Sequence, residues 1–206
     1  MRRKTFDILA SGGGLVVAVV LIVAGSLAFW GYSFANSNVH NQLAEQQIVF
    51  PSKAAFAHAK PGTEITPGMI PYLEKYAGQQ LTTGAQAEAY ADHFIAVHLQ
   101  QIGGGKTYSQ LSTIARSLPP GSQAATKAEA TVQTVFQGTT LRGLLLEAYS
   151  FSVFGQIAFV SSIVAWSFGA VMMFLVALGL LHARRTDAAD ELVGIHTVHS
   201  SAANAA

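Results

Sequence analysis

The sequence predicts an all-α membrane protein in which two transmembrane helices flank a small helical extracytoplasmic domain. Only 11% of its 206 residues are charged and 50% are hydrophobic, whereas charged residues make up about 25% of a typical soluble domain. Two long runs, residues 8–44 and 148–183, contain no Asp, Glu, Lys or Arg. Between them, no strong alternation of apolar and polar residues indicates β-strands.

The two predicted spans cover residues 8–35 and 151–183. Each contains more than the roughly 20 apolar residues that cross the hydrocarbon core of a bilayer. The first run ends in Ser-Phe-Ala at 33–35, which resembles a signal-peptide cleavage site. We expect the run to be retained as a span, because it is longer than the apolar region of a signal peptide.

Positive charges predict the orientation of both spans. The flanking basic residues are Arg2, Arg3, Lys4, Arg184 and Arg185. Basic flanks favour the cytoplasmic side, so residues 1–7 and 184–206 are predicted to be cytoplasmic and residues 36–150 extracytoplasmic. We therefore predict a two-pass protein of the plasma membrane. The last segment, rich in small polar residues, is expected to be mobile.

Composition and motifs argue against several functional classes. The chain has no cysteine and a formal net charge of +1, so we expect neither cysteine-ligated metal nor a nucleic-acid partner. The run GGGKTYS begins at Gly103 and resembles a phosphate-binding loop. That motif requires a glycine where this sequence has Gln100, and it follows a strand. We therefore predict a helix end at Gly103, a new helix capped by Thr107, and no nucleotide partner.

Capping residues and prolines outline the helices of the middle segment. Residues 48–68 are predicted to be extended or looped, because they hold three prolines. The predicted helices are one from Thr66 to Gly78, one near 84–102 with a Thr83–Gln86 capping box, one at 107–118, one from Ser122 to Gly138, and one from 139 to 185.

The predicted core of this segment is small. It comprises Tyr72, Leu73, Tyr76, Tyr90, Phe94, Ile102, Leu111 and Ile114. A core of this size without disulfides is marginal, so we expect the domain to lean on the helical extensions of the spans or on another protein. In those extensions, Val39 and Leu43 are predicted to pack on Leu144 and Leu145 as a stalk.

Candidate catalytic and metal-binding residues do not form a recognisable constellation. His93 and His98 share a predicted helix with Asp92, but a spacing of five places the two histidines about 140° apart around it. Glu88 and Asp92 share a face, which is typical of a solvated helix surface. His40 and His58 stand alone, and the tail pair is His196 and His199. We predict no catalytic, cofactor-binding or metal-binding residues.

Small residues at intervals of four predict close packing of the spans against other helices. They are Ser161, Ala165 and Gly169 in the second span, and Ala24 and Ala28 in the first. Trp166 lies near the middle of its span, away from the interface that tryptophan prefers, which favours contact with a helix. The spans contain no ionisable residue except His182, so neither an ion pathway nor a haem site is predicted.

From the first span to the end of the second, the chain resembles a family of two-span membrane proteins from high-GC Gram-positive bacteria. The runs that carry the resemblance are YAGQQLTTG (76–84), AEAYADHFIAVHL (87–99), GGGKTYSQLS (103–112) and FQGTTLRGLLLEAYSFSVFG (136–155). The resemblance implies no catalytic residues, although some relatives are labelled aromatic ring-opening dioxygenases.

Three functions remain open at this point. The first is a non-catalytic accessory or assembly subunit of a larger membrane complex, for which the respiratory cytochrome bcc–aa3 supercomplex is the best candidate. The second is an extracytoplasmic sensor or ligand-binding membrane protein, although the segment after Arg185 is short for an output domain. The third is the metal-dependent enzyme that the dioxygenase label suggests. We expect the first, with integral membrane subunits and the bilayer as partners.

Overall fold

A computed structural model describes residues 3–185, with side chains from Lys4 onwards. Two long helices dominate it: α1, Arg3–Glu45, and α7, Gln123–Arg185. At 1.5 Å per residue they are about 65 Å and about 95 Å long. Both are long and apolar enough to cross a membrane, which confirms the two predicted apolar helices and is compatible with a two-pass membrane protein.

The chain forms two compact units. The described part of the span unit consists of residues 3–29 and 160–185. The central unit, Trp30–Phe159, contains the rest of both long helices and the shorter elements between them. Among the residues described, these elements are helices and turns, with a single isolated antiparallel bridge between Val49 and Gln80.

Helix α7 is much longer than the sequence predicted. Ser122 begins it as expected, since its hydroxyl oxygen accepts a hydrogen bond from the backbone N–H of Ala125. We predicted a helix end at Gly138, but the helix continues through this residue to Arg185. A Cβ atom at Gly138 would lie 2.6 Å from Leu99 Cδ2. This glycine therefore accommodates a neighbouring side chain rather than ending a helix.

The segment from residue 48 to Gly78 contains more helical structure than expected. Residues 48–68 were predicted to be extended or looped, but they include α2, Lys53–Ala57, capped by the hydroxyl of Ser52. The predicted helix from Thr66 is a series of short turns: a 3-10 turn at Pro67–Met69, α3 at Ile70–Leu73, and a 3-10 turn at Glu74–Tyr76. The Thr66 side chain makes no capping hydrogen bond.

The next helix matches the prediction at both ends but not in its middle. Thr83 and Gln86 form the predicted capping box at the start of α4, Gly84–Tyr90. A π-helical stretch, Ala91–Ile95, then leads into α5, Ala96–Gly103. One wider turn changes which residues share a face, so angles calculated at 100° per residue do not hold across it. Helix α6, Tyr108–Ser117, follows.

The core of the central unit is built mainly from the irregular segment. Phe50, Met69, Leu73 and Leu81 are at most 2% exposed, and they share one cluster with buried residues of both long helices. Among the predicted core residues, Leu73 is fully buried, and Tyr76, Tyr90 and Phe94 are partly buried against the cluster. The prediction was wrong for three side chains, which are exposed: Tyr72, Ile102 and Ile114.

The predicted stalk forms in part. Val39, Leu43 and Leu145 are each buried in the core cluster of the central unit. Leu144 is 59% exposed and lies outside that cluster. Adjacent residues of a helix point about 100° apart, so Leu144 and Leu145 face different surroundings. The long helices of the central unit thus contribute one face to the core and leave another uncovered.

Candidate functional site

The long helices form a groove, which we call the stalk groove, and its lining combines exposed residues with Val39, Leu43 and Leu145 of the core cluster. It lies between the end of α1 and the middle of α7 and has a volume of about 710 Å³. From α1 it is lined by Gly31, Phe34, Ala35, Asn38, Val39, Gln42 and Leu43, from the turn after α1 by Gln46, and from α7 by Leu141, Leu144, Leu145, Glu147, Ala148 and Phe151.

Large apolar side chains line much of the stalk groove. Phe34 and Leu144 are each 59% exposed, and Phe151 is 54% exposed. Gly31 and Ala35 lie on the same wall as Phe34, and their minimal side chains leave room beside its ring. These residues present apolar surface where a ligand, a lipid or another helix can be in contact with it.

The polar residues of the stalk groove are arranged along α1. Asn38 and Gln42 are spaced by four residues, which places them along one side of α1, and Gln46 follows in the turn just after the helix ends at Glu45. The Asn38 amide donates a hydrogen bond from Nδ2 to the carbonyl oxygen of Phe34 at 2.9 Å, so its Oδ1 remains as an acceptor. Glu147 is the one ionisable residue in the lining.

The stalk groove was not predicted as a site from the sequence. The amides at intervals of four were visible in the sequence, and so was the apolar series Leu141, Leu144, Leu145 and Ala148 in α7. Neither pattern indicates that the two helices lie beside each other with these faces left open, because that depends on which faces the core covers.

In the span unit, small residues at the contact between the helices recur every seven positions rather than every four. Buried residues with this spacing are Ser11, Ala18 and Gly25 in α1, and Ser162, Gly169, Val176 and Ala183 in α7. A seven-residue repeat is typical of helices that pack with a left-handed twist. We call this contact the seven-residue seam.

Missing side chains allow close approach along the seven-residue seam. A Cβ atom at Gly169 would lie 2.9 Å from Ile22 Cγ1 and 3.5 Å from the carbonyl oxygen of Ala18. A Cβ atom at Gly179 would lie 2.5 Å from Ser11 Oγ. The helices run antiparallel here, because residues late in α7 meet residues early in α1.

The predicted packing residues divide between the seam and the surface. Gly169 is buried in the seam, and Ala165 and Ala28 are half-buried. Ser161 and Ala24 are exposed. Contact of these residues with a partner protein stays a prediction, but Gly169 is already in contact with the first helix of its own chain.

Trp166 also contacts the first helix. Its indole N–H donates a hydrogen bond to Ser26 Oγ at 3.3 Å, and its ring centroid lies 5.4 Å from that of Phe29. A Cβ atom at Gly25 would lie 2.7 Å from Trp166 Cδ1. Gly25 therefore provides the space that the indole ring occupies, and Ser26 provides the hydrogen-bond partner of the indole nitrogen.

The candidate catalytic residues of the central unit each make a structural contact. Asp92 accepts a hydrogen bond from Arg142 Nη2 at 2.6 Å, an ion pair between α7 and the π-helical stretch. The His93 ring stacks on Tyr72 with centroids 3.5 Å apart and planes at 4°. Asp92 and His93 therefore bind different neighbours.

His98 is a partly buried helix residue. Its Nδ1 lies 2.7 Å from the carbonyl oxygen of Phe94, and a carbonyl oxygen can only accept a hydrogen bond. Nδ1 therefore carries a proton and donates this hydrogen bond, and Nε2 is buried without a hydrogen-bond partner among the described residues. This contact fixes the ring orientation within its own helix.

The surroundings of Tyr90 change the acid–base equilibrium of its hydroxyl. Burial raises the pKa of its hydroxyl above 10.0, and the negative charge of Glu64 raises it further. The ring packs against Phe50, at 5.4 Å between centroids, and against Phe94, at 4.6 Å. Tyr90 therefore behaves as a neutral core residue at physiological pH.

The glycine-rich run forms a helix end, as predicted. Helix α5 ends at Gly103, followed by Gly104 in the left-handed conformation with φ 58°. Thr107 then caps α6 and forms a second capping box with Gln110. The backbone N–H of Gly105 is bonded to the carbonyl oxygen of Gln100, which confirms an ordinary helix terminus in place of a phosphate-binding loop.

Within residues 3–185, no group of three or more His, Asp or Glu side chains is placed to hold a metal ion. His40 is exposed, and His58 ends α2. His182 lies near Asp7, with 3.9 Å between Nε2 and Oδ2. His196 and His199, and the tail predicted to be mobile, lie outside the described residues.

The fold thus defines a helical protein with two candidate membrane spans. In comparisons with known proteins, no family model, curated protein or solved structure matches the chain.

Proposed function

We propose that the protein is a non-catalytic accessory or assembly subunit of a larger bacterial membrane complex. In this proposal, α1 and α7 each cross the plasma membrane, both ends of the chain are cytoplasmic, and residues 36–150 form an extracytoplasmic helical domain. The basic flanks described above support this orientation.

The observation that carries the proposal is the distribution of polar and apolar side chains. In the central unit, the side chains best suited to chemistry are held in structural contacts: Asp92 with Arg142, His93 with Tyr72, and His98 with Phe94. What the unit leaves open is the apolar stalk groove. A molecule of this kind offers surfaces for packing rather than a reacting group.

The span surface supports the same view. Ser161 and Ala24 are exposed, and small residues on the outside of a membrane helix permit the close approach of another helix. Among bacterial complexes we propose the respiratory cytochrome bcc–aa3 supercomplex as the partner. The two-span design with a small outer domain supports that choice.

The test is an affinity purification of the full chain from native membranes in a mild detergent. Mass spectrometry identifies copurifying proteins, and a reduced-minus-oxidised visible spectrum of the same sample detects haem. We expect cytochrome subunits and haem bands. Other integral membrane subunits without haem would support the accessory role and reject the respiratory partner, whereas a colourless chain that purifies alone would contradict the proposal.

A pair of variants locates the interface. Ser161→Leu should reduce copurification, because it fills the space where a partner helix approaches. Ala170→Leu is the matched control: Ala170 is also exposed, and nine residues along the helix place it on the opposite side. Equal copurification of both variants and the unmodified chain would show that Ser161 is not part of the interface.

A second candidate function, an extracytoplasmic ligand-binding membrane protein or sensor, is favoured by one observation. The stalk groove has a volume of about 710 Å³, which falls within the roughly 300–1,000 Å³ typical of small-molecule sites. A ligand in this groove is compatible with an accessory role, since lipids and small molecules also bind within complexes.

A further inference from the structure

We propose that the stalk groove binds one membrane phospholipid whose head group carries an ammonium and no net charge, such as phosphatidylethanolamine. The proposal rests on the membrane placement proposed above, but not on the identity of any partner complex. It assigns a ligand class to the groove from the position, the shape and the charge of its lining.

The position of the groove makes a lipid available to it. Gly31, Phe34 and Ala35 lie in the apolar run of α1 that is long enough to cross a membrane. From Gly31 to Glu45 the helix rises about 21 Å, so the groove extends from the end of the apolar run into its polar continuation. A bilayer lipid reaches the apolar end without leaving the membrane.

The lining of the groove has the character of a lipid site. Ligand sites are lined mainly by apolar and aromatic side chains, with a few polar groups that fix orientation. Phe34 and Phe151 provide aromatic surface, and Leu144, which is 59% exposed, provides aliphatic surface. These residues can cover an acyl chain, while the short side chains of Gly31 and Ala35 leave space for it.

The polar groups favour a particular head group. Asn38 Oδ1 and the amide oxygens of Gln42 and Gln46 can accept hydrogen bonds from an ammonium, and the glutamine N–H groups can donate to phosphate or ester oxygens. Glu147 adds the one formal charge of the lining, and it attracts a cation and repels an anion. An anionic lipid is therefore disfavoured.

A helix of a partner protein is the alternative occupant. A helix with its side chains is about 10–12 Å across, and amide side chains also form hydrogen bonds between membrane helices. The acidic charge favours the lipid, because an apolar membrane helix has no cation to place beside Glu147. The two occupants are separated by the experiment.

The experiment measures lipids retained by the full chain. The purified protein is exchanged into nanodiscs containing equal amounts of phosphatidylethanolamine and phosphatidylglycerol, released into mild detergent, and analysed by native mass spectrometry. We expect retention of about one phosphatidylethanolamine per chain in preference to phosphatidylglycerol.

Two substitutions tie that lipid to the groove. Gln42→Trp fills the groove from an exposed position and should abolish retention, whereas Asn41→Trp, next to it but outside the lining, should leave retention unchanged. Glu147→Gln should remove the preference between the two lipids. Glu129→Gln, at an exposed site of α7 outside the lining, should keep it. Circular dichroism verifies that each variant retains its helix content.

Several outcomes overturn the proposal. Equal lipid retention by the unmodified chain and Gln42→Trp would mean that lipids bind elsewhere, and indifference to Glu147→Gln would reject the proposed head-group selection. A partner protein that is lost from Gln42→Trp, with no lipid retained by the unmodified chain, would identify a helix as the occupant. If the unmodified chain retains no lipid but still copurifies with a partner complex, the lipid proposal is overturned and the accessory function is unaffected.

Discussion

In the span unit the two long helices meet through small residues, whereas in the central unit they meet a core of bulky side chains. The seven-residue seam relies on Ala18, Gly25 and Gly169, which bring backbones together. The core of the central unit relies on Phe50 and Leu73, which fill space between short elements. The same two helices therefore use two kinds of packing along their length.

The difference follows from the surroundings that each segment is suited to. Inside a bilayer, apolar side chains gain little by leaving lipid for protein, so close contact between backbones dominates association. In water, burial of large apolar side chains stabilises a fold by about 25 cal/mol per Å². A variant that affects one kind of packing should leave the other unit intact, and three predictions test this.

The largest effect is expected from Phe50→Ala in the central unit. Phe50 is 2% exposed and contacts Tyr76 and Tyr90, and removal of a buried phenylalanine costs about 3–5 kcal/mol. Hydrogen exchange should increase throughout the shorter helices while the span segments of α1 and α7 remain protected. Ile102→Ala, at a position 47% exposed, is the control and should have a small effect. Uniform loss of protection in both units would contradict the comparison.

An intermediate effect is expected from Gly25→Leu in the seven-residue seam. The added side chain overlaps Trp166, and overpacking of a tight contact costs about 1–3 kcal/mol. With Trp30→Phe as background, Trp166 is the remaining tryptophan of the two, so its emission reports on the seam.

We expect a shift in the Trp166 emission for Gly25→Leu and none for Gly13→Leu. Gly13 is the matched control because an added Cβ there meets nothing within 4 Å. Hydrogen exchange in the central unit should be unchanged in both variants. A shift of equal size for Gly13→Leu would remove the distinction between seam and surface.

The smallest effect concerns pH and is confined to the central unit. Because burial raises the pKa of Tyr90 in the folded state, the unfolded chain loses this proton first as the pH rises. The contribution of Tyr90 to the free energy of unfolding is fully present below about pH 10 and decreases as the pH rises through the folded-state pKa. The melting temperature of the unmodified chain should therefore fall more steeply above pH 10 than that of Tyr90→Phe. Parallel curves of melting temperature against pH for the two chains would show that Tyr90 does not contribute to the pH dependence of stability.

Local signals in the sequence were the ones that predicted structure correctly. The Thr83–Gln86 capping box and the Thr107 cap were predicted because each depends on residues three positions apart. The apolar helices were evident from their length. Each of these features is decided by neighbours along the chain.

Features decided by distant contacts were missed. Gly138 was interpreted as a helix end, but it accommodates Leu99, which is far away in the sequence. Ser161 and Ser162 are equally small, and only the position of the other helix makes Ser162 the buried one. Phe50 lies in a segment without periodicity, so no pattern marked it as a core residue. The stalk groove was missed for the same reason.

The seven-residue seam also sets a rule for how the length of α7 can change during evolution. One residue inserted between Ser162 and Gly169 would rotate every later residue by about 100° and turn Gly169 away from Ile22. An insertion of seven residues would restore the contacts, and one of three or four would be absorbed by a local change in twist. Natural variants of this helix should therefore differ in length by these steps, whereas the turn around Gly121, with φ 75°, is under no such restriction.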